Sequence, residues 1–248
     1  PAPDGEDLPW AQVWSHAFQG PGGWYIENSL TTLGKKDPVS DLNRELWNAG
    51  AEGSPQRDQA RKQKRKLSYY SNIYVVKDPK HPENEGKVFL YKYGKKIHDK
   101  ILAAMQPEFQ DETPVNVFDL WEGANFKLKI KKVAGFWNYD SSEFDSISAL
   151  SADDTELEAT WKSEHSLEAF TSADQFKSYE DLEKRLNLVL GSAPRPTAPS
   201  VDSEEYEPVA APQSDFRAKM SAPTPVKQEA VVEDDDALSY FASLASDD

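Results

Sequence analysis

The spacing of apolar and polar positions divides the chain into recognisable elements. Trp10 to Phe18 alternates loosely, and Trp24-Tyr25-Ile26-Glu27 is short and rich in β-formers. With Gln19-Gly20-Pro21-Gly22-Gly23 as a turn between them, they predict a hairpin over Trp10 to Glu27. Ser40 or Asp41 is placed to cap a short helix over Leu42 to Ala49, and Pro55 to Lys66 reads as helical or flexible. A second hairpin follows. Its first strand, Leu67 to Val76, puts Leu67, Tyr69, Ser71, Ile73 and Val75 on one face and Ser68, Tyr70, Asn72, Tyr74 and Val76 on the other. The turn-rich segment Asp78 to Gly86 leads into the return strand, Lys87 to Tyr93. Ile97, Ile101 and Met105 then recur at helical spacing, predicting an amphipathic helix over Lys95 to Met105.

Further on, Pro114 to Leu120 reads as a short strand. Asn125 to Val133 alternates strictly, which predicts one half-buried strand with Phe126, Leu128 and Ile130 inward and Lys127, Lys129 and Lys131 outward. Phe136 to Tyr139 extends or follows it. From Ser142 the chain reads as helical and acidic. Ser178 with Asp181 three residues on resembles a capping box, Leu182, Leu186 and Val189 mark one helix face, and Gly191 stands where that helix should stop. About five short strands, one intervening helix and a helical flank predict an α+β fold: a small barrel of OB type. The expected organisation is a core over residues 1–150, a helical flank over 151–191, a Pro/Ala/Ser-rich flexible linker over 192–232, and an acidic tail over 233–248.

Charge sharpens this picture. The 248-residue chain carries a formal net charge of −15, which taken alone argues against a polyanionic partner. The distribution reverses that conclusion. Residues 57–100 hold 13 Lys/Arg and 5 Asp/Glu, whereas residues 201–248 hold 3 and 12. Fields are screened within roughly 8 Å at physiological salt, so the local balance decides which partner is attracted. Arg61, Lys62, Lys64, Arg65 and Lys66 run directly into Tyr69 and Tyr70, and the return strand interleaves Tyr91, Lys92 and Tyr93 before Lys95 and Lys96. Cations that hold phosphates, beside aromatic faces that stack on unpaired bases, are what a single-stranded nucleic-acid groove requires. The candidate contacts are Lys64, Arg65, Lys66, Tyr69, Tyr70, Tyr91, Lys92, Tyr93, Lys95 and Lys96. Lys127, Lys129 and Lys131 either extend the groove or protect a strand edge. In the tail, Asp234, Asp235 and Asp236 precede Leu238, Tyr240, Phe241 and Leu244, a pattern suited to folding on a protein partner.

Other chemistries are poorly supported. The sequence has no cysteine, so it offers neither a disulfide framework nor a Cys-based zinc site. No run approaches the ~20 apolar residues of a membrane span, and no membrane partner is expected. His16, His81, His98 and His165 lack partners at metal-ligand spacing. There is no Ser/His/Asp set and no phosphate-cradling glycine loop, and no enzyme is expected.

Lys64 to Lys100, KRKLSYYSNIYVVKDPKHPENEGKVFLYKYGKKIHDK, resembles the single-stranded DNA-binding, helix-destabilising proteins of T-even-type bacteriophages. So do Trp24 to Glu27, Glu112 to Val115, Trp121 to Phe126, Val133 to Asp140, Lys177 to Leu182 and the acidic tail. The resemblance covers roughly residues 9–191 in order. It implies an OB-fold core, coating of single strands in DNA replication, recombination and repair, and a location in the cytoplasm of the infected bacterial host. It implies that Tyr69 and Tyr70 occupy an adjacent aromatic pair and that Tyr91 contacts a base. It also implies that the tail meets replication and recombination proteins, and that a basic N-terminal arm mediates self-association along DNA. That arm and the opening strand have no counterpart here, so the chain is expected to begin inside the core. The family's zinc subdomain uses one His and three Cys. His16 falls on the His position, while Ser29, Asp37 and Ser40 stand at the Cys positions. Serine is a poor zinc ligand, so no cofactor is expected, and the subdomain over 16–48 should be held by Trp24, Leu42 and Trp47. Two other readings remain open: a tethering module that binds DNA weakly and recruits partners through its tail, and an RNA-binding translational repressor.

Overall fold

The computed structural model describes residues 1–109 and 111–191. The linker over 192–232 and the tail residues Asp234, Asp235, Asp236, Leu238, Tyr240, Phe241 and Leu244 lie outside the described residues.

A curled antiparallel sheet organises the chain. Its strands are β1 (Ala11–Gly20), β2 (Gly23–Asn28), β3 (Lys66–Tyr74) and β4 (Val88–Tyr93), in the order β2-β1-β3-β4. The ten-residue β1 serves two partners. Its far half pairs with β2, Phe18 opposite Tyr25, and its near half pairs with β3, Gln12 opposite Tyr69. One strand shared end to end makes the sheet curl and builds a separate apolar cluster at each end.

The first cluster joins Phe18, Tyr25, Leu30 and Val39 to Leu182, Leu186 and Val189. Val39 lies on helix α1 (Pro38–Ala49), and the last three residues lie on helix α5 (Tyr179–Leu190). Phe18 and Tyr25 stack with ring centroids 5.0 Å apart. α5 is delimited as its sequence suggests. The Ser178 hydroxyl accepts from the Asp181 amide, and Gly191 ends the helix in the left-handed region at φ 74°. The β1–β2 turn rests on the end of α5, where the Gly22 amide donates to the Val189 carbonyl at 2.7 Å. A Cβ at Gly20 or Gly22 would overlap the carbonyl oxygens of Val189 or Leu188, so this close approach requires glycine.

The second cluster packs Tyr69 and Tyr93 against Ile97 and Ile101 of helix α3 (Lys95–Met105). Helix α2 (Pro55–Gln63) delivers the chain into β3. Beyond α3, β5 (Ala124–Lys127) pairs with β8 (Glu143–Ile147), and β6 (Lys131–Val133) pairs with β7 (Phe136–Asn138). Helix α4 (Asp154–Lys162) precedes α5. No helix among the described residues is long and apolar enough to cross a membrane.

Several expectations are corrected. α1 begins at Pro38 and is capped by Asp37, not by Ser40 or Asp41, because Pro38 occupies the first helical position, where a missing amide costs nothing. Pro114 to Leu120 forms turns rather than a strand. The stretch after Ser142, read as helical, opens with β8. The single strand expected over Asn125 to Val133 is two, β5 and β6. Leu128 and Ile130 are exposed because no layer lies beneath them. Trp24 is 50% exposed and does not hold its subdomain; Tyr25, on the opposite face of β2, takes the core position. Leu42 packs on the first cluster, and the Trp47 ring lies under Arg57 at 4.5 Å and Arg61 at 5.5 Å. The four strands of the main sheet form a curled antiparallel half-barrel.

Candidate nucleic-acid interface

The interface is built on the β3–β4 hairpin. Its register sets Tyr69 opposite Tyr93, Tyr70 opposite Lys92 and Ser71 opposite Tyr91. Paired residues share a face of the sheet, so Tyr69, Ser71, Tyr91 and Tyr93 face α3 while Tyr70 and Lys92 face the other way. Tyr69 is 6% exposed and Tyr93 5%, and their rings stack with centroids 5.6 Å apart. Burial pushes the Tyr93 phenol up to about 12, and its hydroxyl pairs with that of Ser71 at 2.8 Å. For these two candidates the pleat turns the ring into the core. Tyr91 stays half-buried at the edge of the same cluster, and burial with neighbouring Tyr139 raises its phenol.

On the opposite face, the Tyr70 ring stacks on Phe170 at 4.2 Å, and the Lys92 ammonium lies 5.5 Å from its centroid. Asn72 exchanges two hydrogen bonds with the backbone of His165, at 2.8 and 2.9 Å. A segment almost a hundred residues away in sequence therefore runs across this face. Neither His165 nor Phe170 carried a sequence signal for such a role.

The cations are placed unequally. Lys64 ends α2, Lys66 opens β3 exposed, and the Arg65 guanidinium lies 4.2 Å above the Trp14 ring. Lys95 pairs with Asp99 and Lys96 with Asp140, each at 3.5 Å. Lys127 pairs with Asp145 at 2.7 Å and Lys129 with Glu143 at 2.6 Å. The longer, exposed pairs of Lys95 and Lys96 contribute about 0–1 kcal/mol, so a phosphate can displace their carboxylates at small cost.

A buried polar node holds the end of α2 beside the cationic run. The His16 ring faces the Gln63 carbonyl through Nδ1 at 2.9 Å and Oδ1 of Asp37 through Nε2 at 3.2 Å. Asp37 also accepts from the amides of Val39, Ser40 and Leu30, each at 3.1 Å. Gln63 is the last residue of α2, directly before Lys64. Ser29 and Ser40 lie by this node, but Asp37 is already saturated by amides and His16. Among the described residues no group of three or more His, Asp or Glu is placed to hold a metal ion. This donor set does not fit a zinc centre.

His98, on α3, is buried beneath the interface. Its ring stacks on Tyr69 at 3.7 Å and meets Trp10 edge-on at 5.1 Å. Burial lowers its proton affinity below the ordinary 6.5, with Asp99 opposing. The unfolded chain therefore takes up this proton first, and stability falls as the pH drops from 6.5 toward the folded value. Urea midpoints measured from pH 7.5 to 5 should fall with acidification, and His98→Phe should flatten that fall.

A curled sheet that presents a cationic hairpin with aromatic rings beside it defines a nucleic-acid-binding protein. Comparison with known proteins narrows the class. A family model described as gp32 DNA binding protein like matches residues 1–190. The single-stranded DNA-binding proteins of Enterobacteria phage T2 and Enterobacteria phage T4 are each 41% identical over 217 residues, spanning 85% of this chain and 70% of theirs. The chain belongs to the gp32-like DNA-binding protein family, a family of binding proteins rather than enzymes.

Proposed function

We propose that the protein binds single-stranded DNA and coats transiently exposed strands during phage replication, recombination and repair. The observation that carries this reading is the β3–β4 hairpin, where Lys64, Arg65, Lys66 and Lys92 adjoin the rings of Tyr70 and Tyr91. Phosphates engage the cations, including Lys95 and Lys96 once their carboxylate partners are displaced, and bases stack on the accessible rings. Tyr69 and Tyr93 support the Tyr91 ring from below, and Phe170 backs the Tyr70 ring. Stacking tolerates every base, so binding is largely independent of sequence. The open curl of the main sheet, with β5–β8 beside it, supports reading the core as an incompletely closed OB-type barrel.

The acidic tail, tethered through residues 192–232, competes with DNA for the hairpin and is released to replication proteins when DNA is bound. A polyanionic segment on a linker of this length has a high effective concentration at a cationic groove. The 16–48 subdomain folds without metal, the His16–Asp37 node closing it instead.

Fluorescence anisotropy with labelled oligo-dT and matched duplex, for the full chain and for residues 1–191, tests the reading. Binding should be selective for the single strand and should strengthen at low salt when the tail is removed. Equal affinity for duplex would sink the single-strand assignment, and unchanged low-salt affinity of the shorter chain would remove the tail competition. Weak binding that hardly changes with salt would favour the tethering module.

A further inference from the structure

Strands β6 and β7 form a hairpin that stands out from the core. Its two-residue turn, Ala134 at φ 50° and Gly135 at φ 88°, is the tight connection that suits the twist of paired strands. The hairpin buries little: Val133, Phe136 and Trp137 are all exposed, Trp137 by 62%. Lys132 stands opposite Trp137 in the register, and its ammonium lies 4.9 Å from the ring centroid.

The surrounding charges are not uniform. Lys127 and Lys129, before the hairpin, are neutralised by Asp145 and Glu143. Lys131 and Lys132, on the hairpin itself, form no ion pair with a carboxylate among the described residues. Of these two cations, Lys132 lies beside the exposed Trp137 indole, while Lys131, opposite Asn138, stands on the other face of the same strand. Such an arrangement is poorly suited to an apolar protein core and well suited to a partner that carries both negative charge and flat rings.

The root of the hairpin fixes its location. Tyr139, just beyond β7, packs into the cluster of Tyr69, Tyr91 and Tyr93, and Asp140 pairs with Lys96 at 3.5 Å. The hairpin therefore rises directly from the edge of the β4–α3 side of the interface. The contacts of Tyr139 and Asp140 thus tie the hairpin's root to Tyr91 and Lys96.

We infer that the β6–β7 hairpin is an additional single-stranded DNA subsite, in which a base stacks on the open face of Trp137 and the adjoining phosphates are held by Lys131 and Lys132. This inference rests on the single-stranded DNA reading of the β3–β4 hairpin and adds a second stacking platform to it. Lys132 covers one face of the indole and leaves the other for a base. Bound phosphate then lies beside a cation that needs no release from a carboxylate.

The test uses the full chain with Trp137→Ala, Trp137→Phe and the double variant Lys131→Gln/Lys132→Gln. Trp137 is exposed, so an unchanged unfolding midpoint is expected and checks that each variant is folded. On long oligo-dT, Trp137→Ala should weaken binding about 5- to 10-fold, the low end for loss of one stacked base, and Trp137→Phe should restore most of it. The lysine pair should lower the log–log salt slope by about 1.4, at about 0.7 per phosphate contact on a single strand. As a measurement independent of any variant, photocrosslinking the unsubstituted chain to oligonucleotides carrying 5-iodouracil should label the peptide containing Trp137. If the unsubstituted chain binds oligo-dT but both variants match it and no crosslink reaches residues 131–138, the hairpin subsite is wrong while the main groove stands. If the unsubstituted, folded chain does not bind oligo-dT, the parent reading fails and this inference falls with it.

Discussion

Replacing Asp37 with alanine should destabilise the folded chain by about 3–5 kcal/mol, because each buried donor left unsatisfied costs about 1–3 kcal/mol and this carboxylate serves several. The carboxylate is fully enclosed and serves four groups: His16 and the amides of Leu30, Val39 and Ser40. Its loss leaves buried donors unsatisfied and also removes the α1 cap, itself about 1 kcal/mol. Asp37→Asn should cost clearly less, since asparagine caps helices well but carries no charge to face His16. Urea denaturation at pH 7 orders the three proteins. The acid limb gives a further check. Burial alone would raise the Asp37 carboxyl, but the His16 ring and the Ser40 amide outweigh it and hold it below the ordinary 3.8. A depressed carboxylate contributes fully above 3.8 and loses that contribution as the pH falls through the folded value, so Asp37→Asn should show a flatter acid limb. A chelator should leave the midpoint of the unsubstituted chain unchanged. A fall on chelation would return the site to metal binding. If Asp37→Ala unfolds at the same urea concentration as the unsubstituted chain, the node is not what closes this subdomain.

The same node shows how the architecture serves binding. The His16 contact to the Gln63 carbonyl pins the end of α2, within the cationic run and directly before Lys64. His16 and Asp37 together hold a helix cap and a helix end through hydrogen bonds. Sequence reasoning could see that serine and aspartate replace soft ligands. It placed the helix cap at Ser40 or Asp41, whereas Asp37 caps α1 and Pro38 is its first residue.

What was legible followed periodicity and caps. The β1–β2 and β3–β4 hairpins, helix α3 over Lys95–Met105 and the limits of α5 all lie where local pattern places them. What was missed depended on what lies against an element. Alternation from Phe126 to Ile130 is real, but periodicity says which residues share a face, not whether anything covers it, and Leu128 and Ile130 remain in solvent. Trp24 and Tyr25 are equally good strand residues, and only the packing of α5 decides that Tyr25 goes inward. β8 is a short acidic stretch whose pairing with β5 supplies the order its own composition lacks. Alternation put Tyr69 and Tyr70 on opposite faces, yet which face was core waited on α3 and on Phe170. Each of these contacts is long-range, so no window of sequence contains it.

Neutralising Lys64, Lys66 and Lys92 together should lower affinity for oligo-dT by roughly 100-fold at 50 mM salt and reduce the log–log salt slope by about 2, at about 0.7 per lost phosphate contact. Arg65 is left in place because its guanidinium also packs on Trp14, so its removal would mix stability with binding. Two controls separate charge from stacking. Tyr91→Ala should weaken binding by about 1–3 kcal/mol while leaving the slope nearly unchanged, because a base stack releases no counterion. Lys127→Gln with Lys129→Gln should alter the slope less than the groove triple, because both lysines already hold carboxylates at 2.7 and 2.6 Å. The four proteins thus form a pattern that no single loss of affinity could give: intercept without slope for the ring, both for the groove lysines, little of either for the paired lysines. If the triple variant kept the slope of the unsubstituted chain, the β3–β4 cations would not be phosphate contacts. The interface would then lie elsewhere on the surface, with this hairpin reduced to a scaffold.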